Sequence, residues 1–323
     1  MNAQIGLMIE GQHGLNWERW ERILDVAERG GYQCVFRSDH FTNPASPDMD
    51  SLELFVALTF AATRTQRIEF GSLVAPVTFR HPTMTVRQAA QIDDLSNGRL
   101  VLGLGAGWQE REHKNYGIPF YDFKTRFECL ADALEITQRL LTTDEPVSFQ
   151  GEHISVSDAV LLPRPKRKTP ILIGGNGPKR TLPLAAKYAD EWNGVFINLE
   201  TYRERMQRLD ELIEQAGRKP QDVKRSIMGP IYWARDEADL KELLARFSRR
   251  LGGREATVEQ AQNLGVFAGT SSQIIDQLGR YVDAGCERFM LQITEYDNLE
   301  PVEVWAQEIL PAFHETPMSD SRP

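Results

Sequence analysis

Cysteine is scarce: Cys34, Cys129 and Cys286 are 3 in a chain of 323 residues. They lie far apart and are odd in number, which excludes a disulfide framework and suits reduced, mostly buried thiols in a cytoplasmic protein. No run approaches the ~20 apolar residues that a membrane span requires. Met1 to Glu10 holds no basic stretch followed by a long apolar one, so no secretory signal is expected and the location reads as cytoplasmic. Positive charge is in deficit: 37 Lys and Arg against 46 Asp and Glu leave −9, which argues against a nucleic-acid surface. No CxxC or HExxH occurs, and His113 beside Glu110 and Glu112 is not spaced to put two ligands on one helix face, so no metal is expected. With 41% hydrophobic and 26% charged residues, the chain has the composition of a globular protein. At this length it buries a core without staples. The partner it points to is a small molecule, not nucleic acid or membrane.

What is present is an alternation of short β-rich runs with longer amphipathic ones. Strands are expected at Gln4–Ile9, Gln33–Arg37, Arg67–Val74, Leu100–Leu104, Ile171–Ile173, Glu191–Ile197, Val223–Ala234 and Arg288–Ile293. Helices are expected at Trp17–Arg29, which stops at Gly30-Gly31; at Ser51–Thr63, capped by Ser51; and at Pro82–Ser96, with Pro first and Asn97-Gly98 behind. Further helices read at Phe123–Leu141, Pro178–Tyr188, Thr201–Ala216, Asp236–Arg250, Thr270–Ala284 and Pro301–Phe313. Val147–Val156 turns about Gln150-Gly151 as a small hairpin, and Leu162–Pro170 is a basic, proline-rich connector. Insertions fall after the fourth strand and around Gly252–Phe267, and a polar tail begins at His314. Eight strands, each followed by helical sequence, fit an α/β fold of the (β/α)8 barrel type, one domain over residues 1–313. A doubly wound sheet is the rival and usually has fewer strands.

In such a barrel, functional residues gather where strands end. After the second strand comes Arg37-Ser38-Asp39-His40-Phe41. An imidazole there can orient a ring and move a proton near neutral pH. From composition alone the plainer reading is a turn cap at Asp39 and a loop histidine at His40. After the third strand, Gly71 to Pro82 is small and apolar at first, suited to the floor of a flat pocket or to simple barrel packing. Gly103-Leu104-Gly105-Ala106-Gly107-Trp108 lets backbone approach a ligand, but it is not a dinucleotide fingerprint, because the third glycine position holds Trp108. The strongest signal follows the fifth strand. Gly174-Gly175-Asn176-Gly177-Pro178-Lys179-Arg180-Thr181 joins glycine backbone, cations and a hydroxyl at a helix start, which suits a phosphate. The run Arg164, Lys166, Arg167 and Lys168 reads as a solvated loop, unless it lies near that cradle and adds positive potential.

Four segments together resemble the bacterial luciferase-like superfamily, and within it the coenzyme F420 (deazaflavin)-dependent oxidoreductases. They are Ser38 to Phe41, Thr78 to Pro82, Gly98 to Glu112 (GRLVLGLGAGWQERE) and Gly174 to Asn193 (GGNGPKRTLPLAAKYADEWN). The resemblance runs from Gln4 to about Phe313. It implies a barrel with insertions and a deazaflavin ring across the strand ends. It implies that Asp39 contacts the ring system, that His40 lies beside the ring and assists hydride transfer, and that Leu73-Val74 is a cis non-proline peptide backing the ring. Gly107 would lie near the cofactor side chain, and Gly174, Gly175, Gly177, Lys179, Arg180 and Thr181 would receive its phosphate. Glu112 matches a glutamate common in the wider family. One position departs: where the glucose-6-phosphate dehydrogenase members carry a glutamate after the glycines, this chain has Trp108. Their sugar-phosphate activity therefore does not carry over, and Trp108 suits the wall of an apolar pocket.

The resulting expectation is an F420-dependent oxidoreductase that moves a hydride between the deazaflavin C5 and an organic substrate. His40 is the proton-handling group, with Glu112 the second catalytic candidate. Two alternatives stay open: an FMN-dependent, oxygen-using monooxygenase on the same barrel, and a flavin- or deazaflavin-binding protein without turnover. By resemblance, the assembly expected is a homodimer.

Overall fold

The computed structural model describes residues 1–250 and 256–313. The chain begins with β1 (Gln4–Ile9), α1 (Trp17–Gly30), β2 (Cys34–Arg37), α2 (Leu54–Arg64), β3 (Glu69–Ser72), β4 (Ala75–Pro76), α3 (Pro82–Leu95) and β5 (Leu100–Gly105). It continues with α4 (Glu110–Asn115), α5 (Phe123–Thr142), β6 (Val147–Gln150), β7 (Ser155–Ala159), β8 (Ile171–Gly174), α6 (Thr181–Tyr188), β9 (Glu191–Val195) and α7 (Leu199–Gln215). Last come β10 (Lys224–Trp233), α8 (Glu237–Arg250), α9 (Val258–Asn263), β11 (Phe267–Gly269), α10 (Ser271–Asp283), β12 (Arg288–Ile293) and α11 (Glu300–Glu308). Parallel pairing joins β1, β2, β3, β5, β8, β9, β10 and β12 in that order, and β12 returns to β1. The closed ring is an eight-stranded (β/α)8 barrel with insertions.

Local chemistry explains most element ends. In α1 the residues Trp20, Ile23, Leu24 and Ala27 are buried at helical spacing. Asn16 caps the helix by accepting the Arg19 N–H at 3.0 Å, and Gly31 stops it in the left-handed region at φ 85°. α3 starts on Pro82 and ends before Asn97 and Gly98, both at positive φ. Three starts or strands differ from expectation. α2 begins at Leu54, because Glu53 is its cap and accepts the Val56 N–H at 2.8 Å. Ser51, expected as that cap, instead donates its hydroxyl to the His40 carbonyl at 2.6 Å. α6 begins at Thr181, after a turn over residues 178–180. The third strand divides at the cis Leu73–Val74 peptide, and β4 resumes it by pairing with the upper half of β5.

α4, α9 and β11 were not expected. β11 pairs with Ile231–Trp233, the part of β10 beyond its pairing with β9 and β12. The polar tail expected from His314 lies outside the described residues, as does part of the insertion expected at Gly252–Phe267.

Met8, Phe36, Val101, Leu172, Met228 and Met290 pack inside the barrel. Its lower end is sealed by three ions and a glutamine at the first residues of four strands. The buried Arg288 guanidinium donates to Gln4 Oε1 at 2.7 Å, lies 3.3 Å from Glu191 and pairs with Glu69. Cys34, Cys129 and Cys286 are all free and buried, and burial pushes the Cys34 thiol up to about 12, which keeps it unreactive. No helix among the described residues is long and apolar enough to cross a membrane.

Candidate active site

A cavity of about 630 Å³ opens at the C-terminal ends of the strands. Its floor shares Leu73, Val74, Val195 and Met228 with the barrel interior. Val74 sits between two glycines. A Cβ on Gly105 would fall 2.5 Å from Val74 Cγ2, and one on Gly174 would fall 3.2 Å from Val74 Cγ1. Beneath them Ser72 clamps β3 to β5, donating to the Gly103 carbonyl at 2.8 Å and accepting its N–H at 2.9 Å. The result is a wall with little side chain, where a flat group can approach main chain.

His40 leaves β2 beside this wall. Its Nδ1 lies 2.8 Å from Glu112 Oε1, while Glu112 Oε2 accepts the Phe41 N–H at 3.1 Å. Glu112 is 1% exposed and comes from α4. A carboxylate oxygen accepts, so Nδ1 carries the hydrogen and Nε2 is left toward the cavity. Burial disfavours the imidazolium, but the Glu112 hydrogen bond and the charges of Glu112, Glu10 and Asp39 outweigh it, so the His40 pKa stands above its ordinary value. Ser51 holds the His40 carbonyl, and Trp108 meets the imidazole edge-on with centroids 5.3 Å apart. Gly107 (φ 76°) sets up that turn. A Cβ there would meet Thr78 Oγ1 at 3.1 Å and Pro76 Cβ at 3.2 Å. His113 is fixed behind it, its Nδ1 bonding the Gln109 carbonyl at 2.7 Å and its Nε2 the Thr78 hydroxyl at 2.8 Å.

At the other end, Gly174, Gly175 and Thr181 line the cavity. Asn176 ties this loop to β9, donating to the Val195 carbonyl at 2.7 Å and accepting its N–H at 2.9 Å. Gly175 lies at φ 124°, which a side chain rarely adopts. The lining also includes Arg126 of α5, which the sequence reading did not select. It lies 4.1 Å over the Phe120 ring and donates from Nη1 to the Tyr121 carbonyl at 2.9 Å. Its buried Nε has no hydrogen-bond partner, which leaves the guanidinium with an unused donor. Arg180 joins α6 to α5 by lying over Phe123 and Phe127, at 5.6 and 5.9 Å.

The structure thus gathers His40, Glu112, Leu73, Val74, Gly107, Gly174, Gly175 and Thr181 around one cavity. Gly177, Lys179 and Arg180, from the same segment, are not among the residues that line it. Asp39, expected against the ring, is not among the residues that line the cavity, and its carboxylate is engaged by Arg80. Its oxygens accept from Arg80 at 2.5 and 3.2 Å, and Arg80 also bonds Glu53 at 2.5 Å. Burial raises the Asp39 pKa even against the opposing Arg80 charge, and its bonds to Arg80 tie the β2 loop to the segment before α3. The basic run, read as a solvated loop unless it lay near the cradle, is engaged in ion pairs elsewhere. Lys166 pairs with Asp94 at 2.8 Å, Arg167 with Asp93 at 2.8 Å and Lys168 with Asp190 at 2.7 Å. Arg167 also donates to the carbonyl of Leu100, the first residue of β5, so this run serves the opposite end of the barrel.

A family model described as luciferase-like monooxygenase matches residues 3–288. The F420-dependent glucose-6-phosphate dehydrogenase of Amycolatopsis mediterranei is 27% identical over 310 residues, covering 88% of this chain and 91% of that protein. An F420-dependent secondary alcohol dehydrogenase in complex with an F420–acetone adduct superposes with a TM-score of 0.82 at 19% identity, over 98% of this chain and all (100%) of the other. The oxygenating constituent of 3,6-diketocamphane monooxygenase from Pseudomonas putida, in complex with FMN, gives 0.76 at 17% identity over 98% of this chain and 100% of that one. At such identities the two structures speak to the fold alone.

Proposed function

The chain belongs to the luciferase-like monooxygenase family, and from that premise we propose that it is a coenzyme F420-dependent oxidoreductase acting on an organic substrate. The reading follows the similarity to F420-dependent dehydrogenases over most of both chains. The observation that carries it to this cavity is the pairing of His40 with buried Glu112 beside a glycine wall, with Arg126 in the same lining. A flat ring fits against Leu73, Val74, Gly105 and Gly174, and a phosphate fits Arg126, Gly175 and Thr181. When bound, the deazaflavin supplies the carbon that takes or gives a hydride.

The residues of the chain do the rest. His40 Nε2 takes a proton from the substrate heteroatom when the adjacent carbon loses a hydride, and returns it in the reverse direction. Glu112 keeps Nδ1 protonated and the ring oriented, so Nε2 is the atom that titrates toward the substrate. The glycine wall and the apolar floor keep water from the reacting carbon. FMN has a phosphate and a tricyclic ring too, and the same walls admit it.

Equilibrium binding of the purified protein to coenzyme F420 and to FMN, side by side and followed by fluorescence, tests the reading. Micromolar or tighter F420 binding, with FMN much weaker, is the expected result. Preference for FMN moves the assignment to an oxygen-using flavin monooxygenase, and binding of neither overturns both.

A further inference from the structure

We propose that the substrate site takes a neutral, largely apolar molecule carrying one hydrogen-bonding heteroatom, and that Trp108 and Phe196 are the side chains that select it. The proposal rests on the reading of the cavity as a hydride-transfer site and names the chemical class that site accepts.

The distribution of charge comes first. Among the described residues that line the cavity, the one permanent cation is Arg126. It belongs with α5 and the start of α6, the two helices that Arg180 ties together over Phe123 and Phe127. Around His40 the other ionisable lining groups are carboxylates, Glu112 and Glu10. Their oxygens already accept hydrogen bonds: Glu112 from His40 and Phe41, Glu10 from Gln12 at 3.1 Å and Gln292 at 2.6 Å. A phosphate or carboxylate on the substrate would lose its hydration there and meet two acids of like sign. A hydroxyl or carbonyl oxygen meets one suitable partner, His40 Nε2.

The second observation is two large aromatic side chains kept at the cavity without being buried in the fold. Trp108 is 60% exposed although it stands edge-on to the buried-side imidazole of His40. The preceding Gly107 turn, closed by Thr78 and Pro76, holds it there. Phe196 is 43% exposed and lies at φ 49°, a left-handed conformation that a bulky residue seldom adopts. Its neighbours impose this placement. Its N–H donates to the Met228 carbonyl at 3.1 Å. A Cβ on Gly265 would lie 2.3 Å from its carbonyl carbon, so only glycine packs against it. The Tyr281 hydroxyl grips the next carbonyl, that of Ile197, at 3.0 Å. Backbone from β9, β10 and the α9–β11 turn is therefore arranged to hold one exposed phenyl ring against the cavity. Exposed aromatics at a pocket bury apolar area when a ligand arrives, with little side-chain entropy to lose.

The test uses the protein loaded with whichever of F420 or FMN it binds. Calorimetry measures 4-phenyl-2-butanone and 4-phenyl-2-butanol against 4-phenylbutyrate and glucose 6-phosphate. The neutral pair is expected to bind at least tenfold tighter than the anions. Trp108→Ala and Phe196→Ala are each expected to weaken the neutral pair about tenfold, with cofactor affinity unchanged within about twofold, and Trp108→Phe to recover most of the loss. Anions binding as well as the neutral pair overturn the proposal. So does an unchanged affinity in both alanine variants, or a parallel loss of cofactor affinity, which would make the two rings part of the cofactor site. If the protein binds neither cofactor, the same titrations on the free protein still decide it: the cofactor reading then fails, while selective, Trp108- and Phe196-dependent uptake of the neutral pair upholds the apolar site.

Discussion

His40 Nδ1 and Glu112 Oε1 are 2.8 Å apart although 72 residues separate them in the chain. The β2 end supplies the imidazole and the short α4 supplies the acid, so neither loop alone makes the proton-handling group. Glu112→Gln keeps the shape and removes the charge. The His40 pKa, held up by that carboxylate against burial, then falls. Carbonyl reduction needs a proton on Nε2, so the alkaline limb of its pH profile moves to lower pH in the variant. His40→Ala lowers turnover by about 10²–10⁴-fold, with cofactor affinity kept within about tenfold. Steady-state profiles from pH 5 to 9 check both, and an unmoved limb in Glu112→Gln removes His40 from the proton step.

The same pair carries a stability signature of definite sign. The folded His40 pKa lies above its ordinary 6.5. Its stabilising contribution is then complete below that ordinary value and is lost as pH rises through the raised folded one. Denaturant unfolding of the wild type and of His40→Gln is expected to show a gap in favour of the wild type that is larger at pH 5.5 than at pH 8.5. A gap that widens with pH contradicts the direction of the shift.

Arg126 lines the same cavity as Gly175 and Thr181, and its buried Nε has no hydrogen-bond partner. Hydrogen bonds to a charged group contribute about 1.5–3 kcal/mol, so Arg126→Ala is expected to weaken F420 by roughly 10- to 150-fold. Arg126→Lys keeps the charge without the planar fork and falls between. Fluorescence titration of the three proteins decides the order. If riboflavin, which lacks the phosphate, loses as much affinity as FMN in Arg126→Ala, the arginine does not read the phosphate.

The barrel was legible because burial leaves marks of different period in strands and helices. Leu100–Gly105 and Arg288–Ile293 are buried throughout and read as continuous runs. α1 buries one stripe and reads as amphipathic. His40 and the glycine segments were legible because strand ends are where such a fold places chemistry. The failures have physical causes as well. β11 has three residues and exists only because the outer part of β10 offers an edge to pair with. Arg126 sits in a long amphipathic helix, where an arginine looks like any solvated charge until the fold turns it over Phe120. The Asp39 carboxylate is engaged by Arg80, 41 residues away, a contact no local pattern reveals. Whether Lys166, Arg167 and Lys168 lay near the cradle was not legible, because their partners Asp94, Asp93 and Asp190 are distant in sequence.

Gly105 and Gly174 flank Val74, and the two are not equal. The Cβ of Gly105→Ala would fall 2.5 Å from Val74 Cγ2, too close without moving it, whereas that of Gly174→Ala would be 3.2 Å from Cγ1. Overpacking of the first kind costs about 1–3 kcal/mol. Gly105→Ala is expected to lower the unfolding free energy by that amount and to abolish tight F420 binding by pushing Val74 into the ring position. Gly174→Ala changes stability less. Equal cofactor affinity in Gly105→Ala and wild type would place the ring elsewhere in the cavity.

Asp39 is buried and paired with Arg80, which also holds Glu53 and lies 5.1 Å over the Phe55 ring. This trio roots the loop that carries His40. Arg80→Met fills similar space and leaves the Asp39 carboxylate buried without its counter-ion, a change that costs about 3–5 kcal/mol. Burial already raises the Asp39 pKa with Arg80 present, and losing the guanidinium raises it further. A folded pKa above the unfolded one means that the penalty is fully felt at neutral pH and shrinks as pH falls toward the unfolded value. The stability gap between wild type and Arg80→Met is thus expected to be wide at pH 7.5 and narrower at pH 5, and Asp39→Asn added to Arg80→Met is expected to recover part of it. Turnover in Arg80→Met falls through misplacement of His40, so the loss appears in kcat more than in F420 affinity. A gap that is independent of pH, with no recovery in the double variant, would mean that Arg80 supports the loop by packing on Phe55 and not by neutralising Asp39.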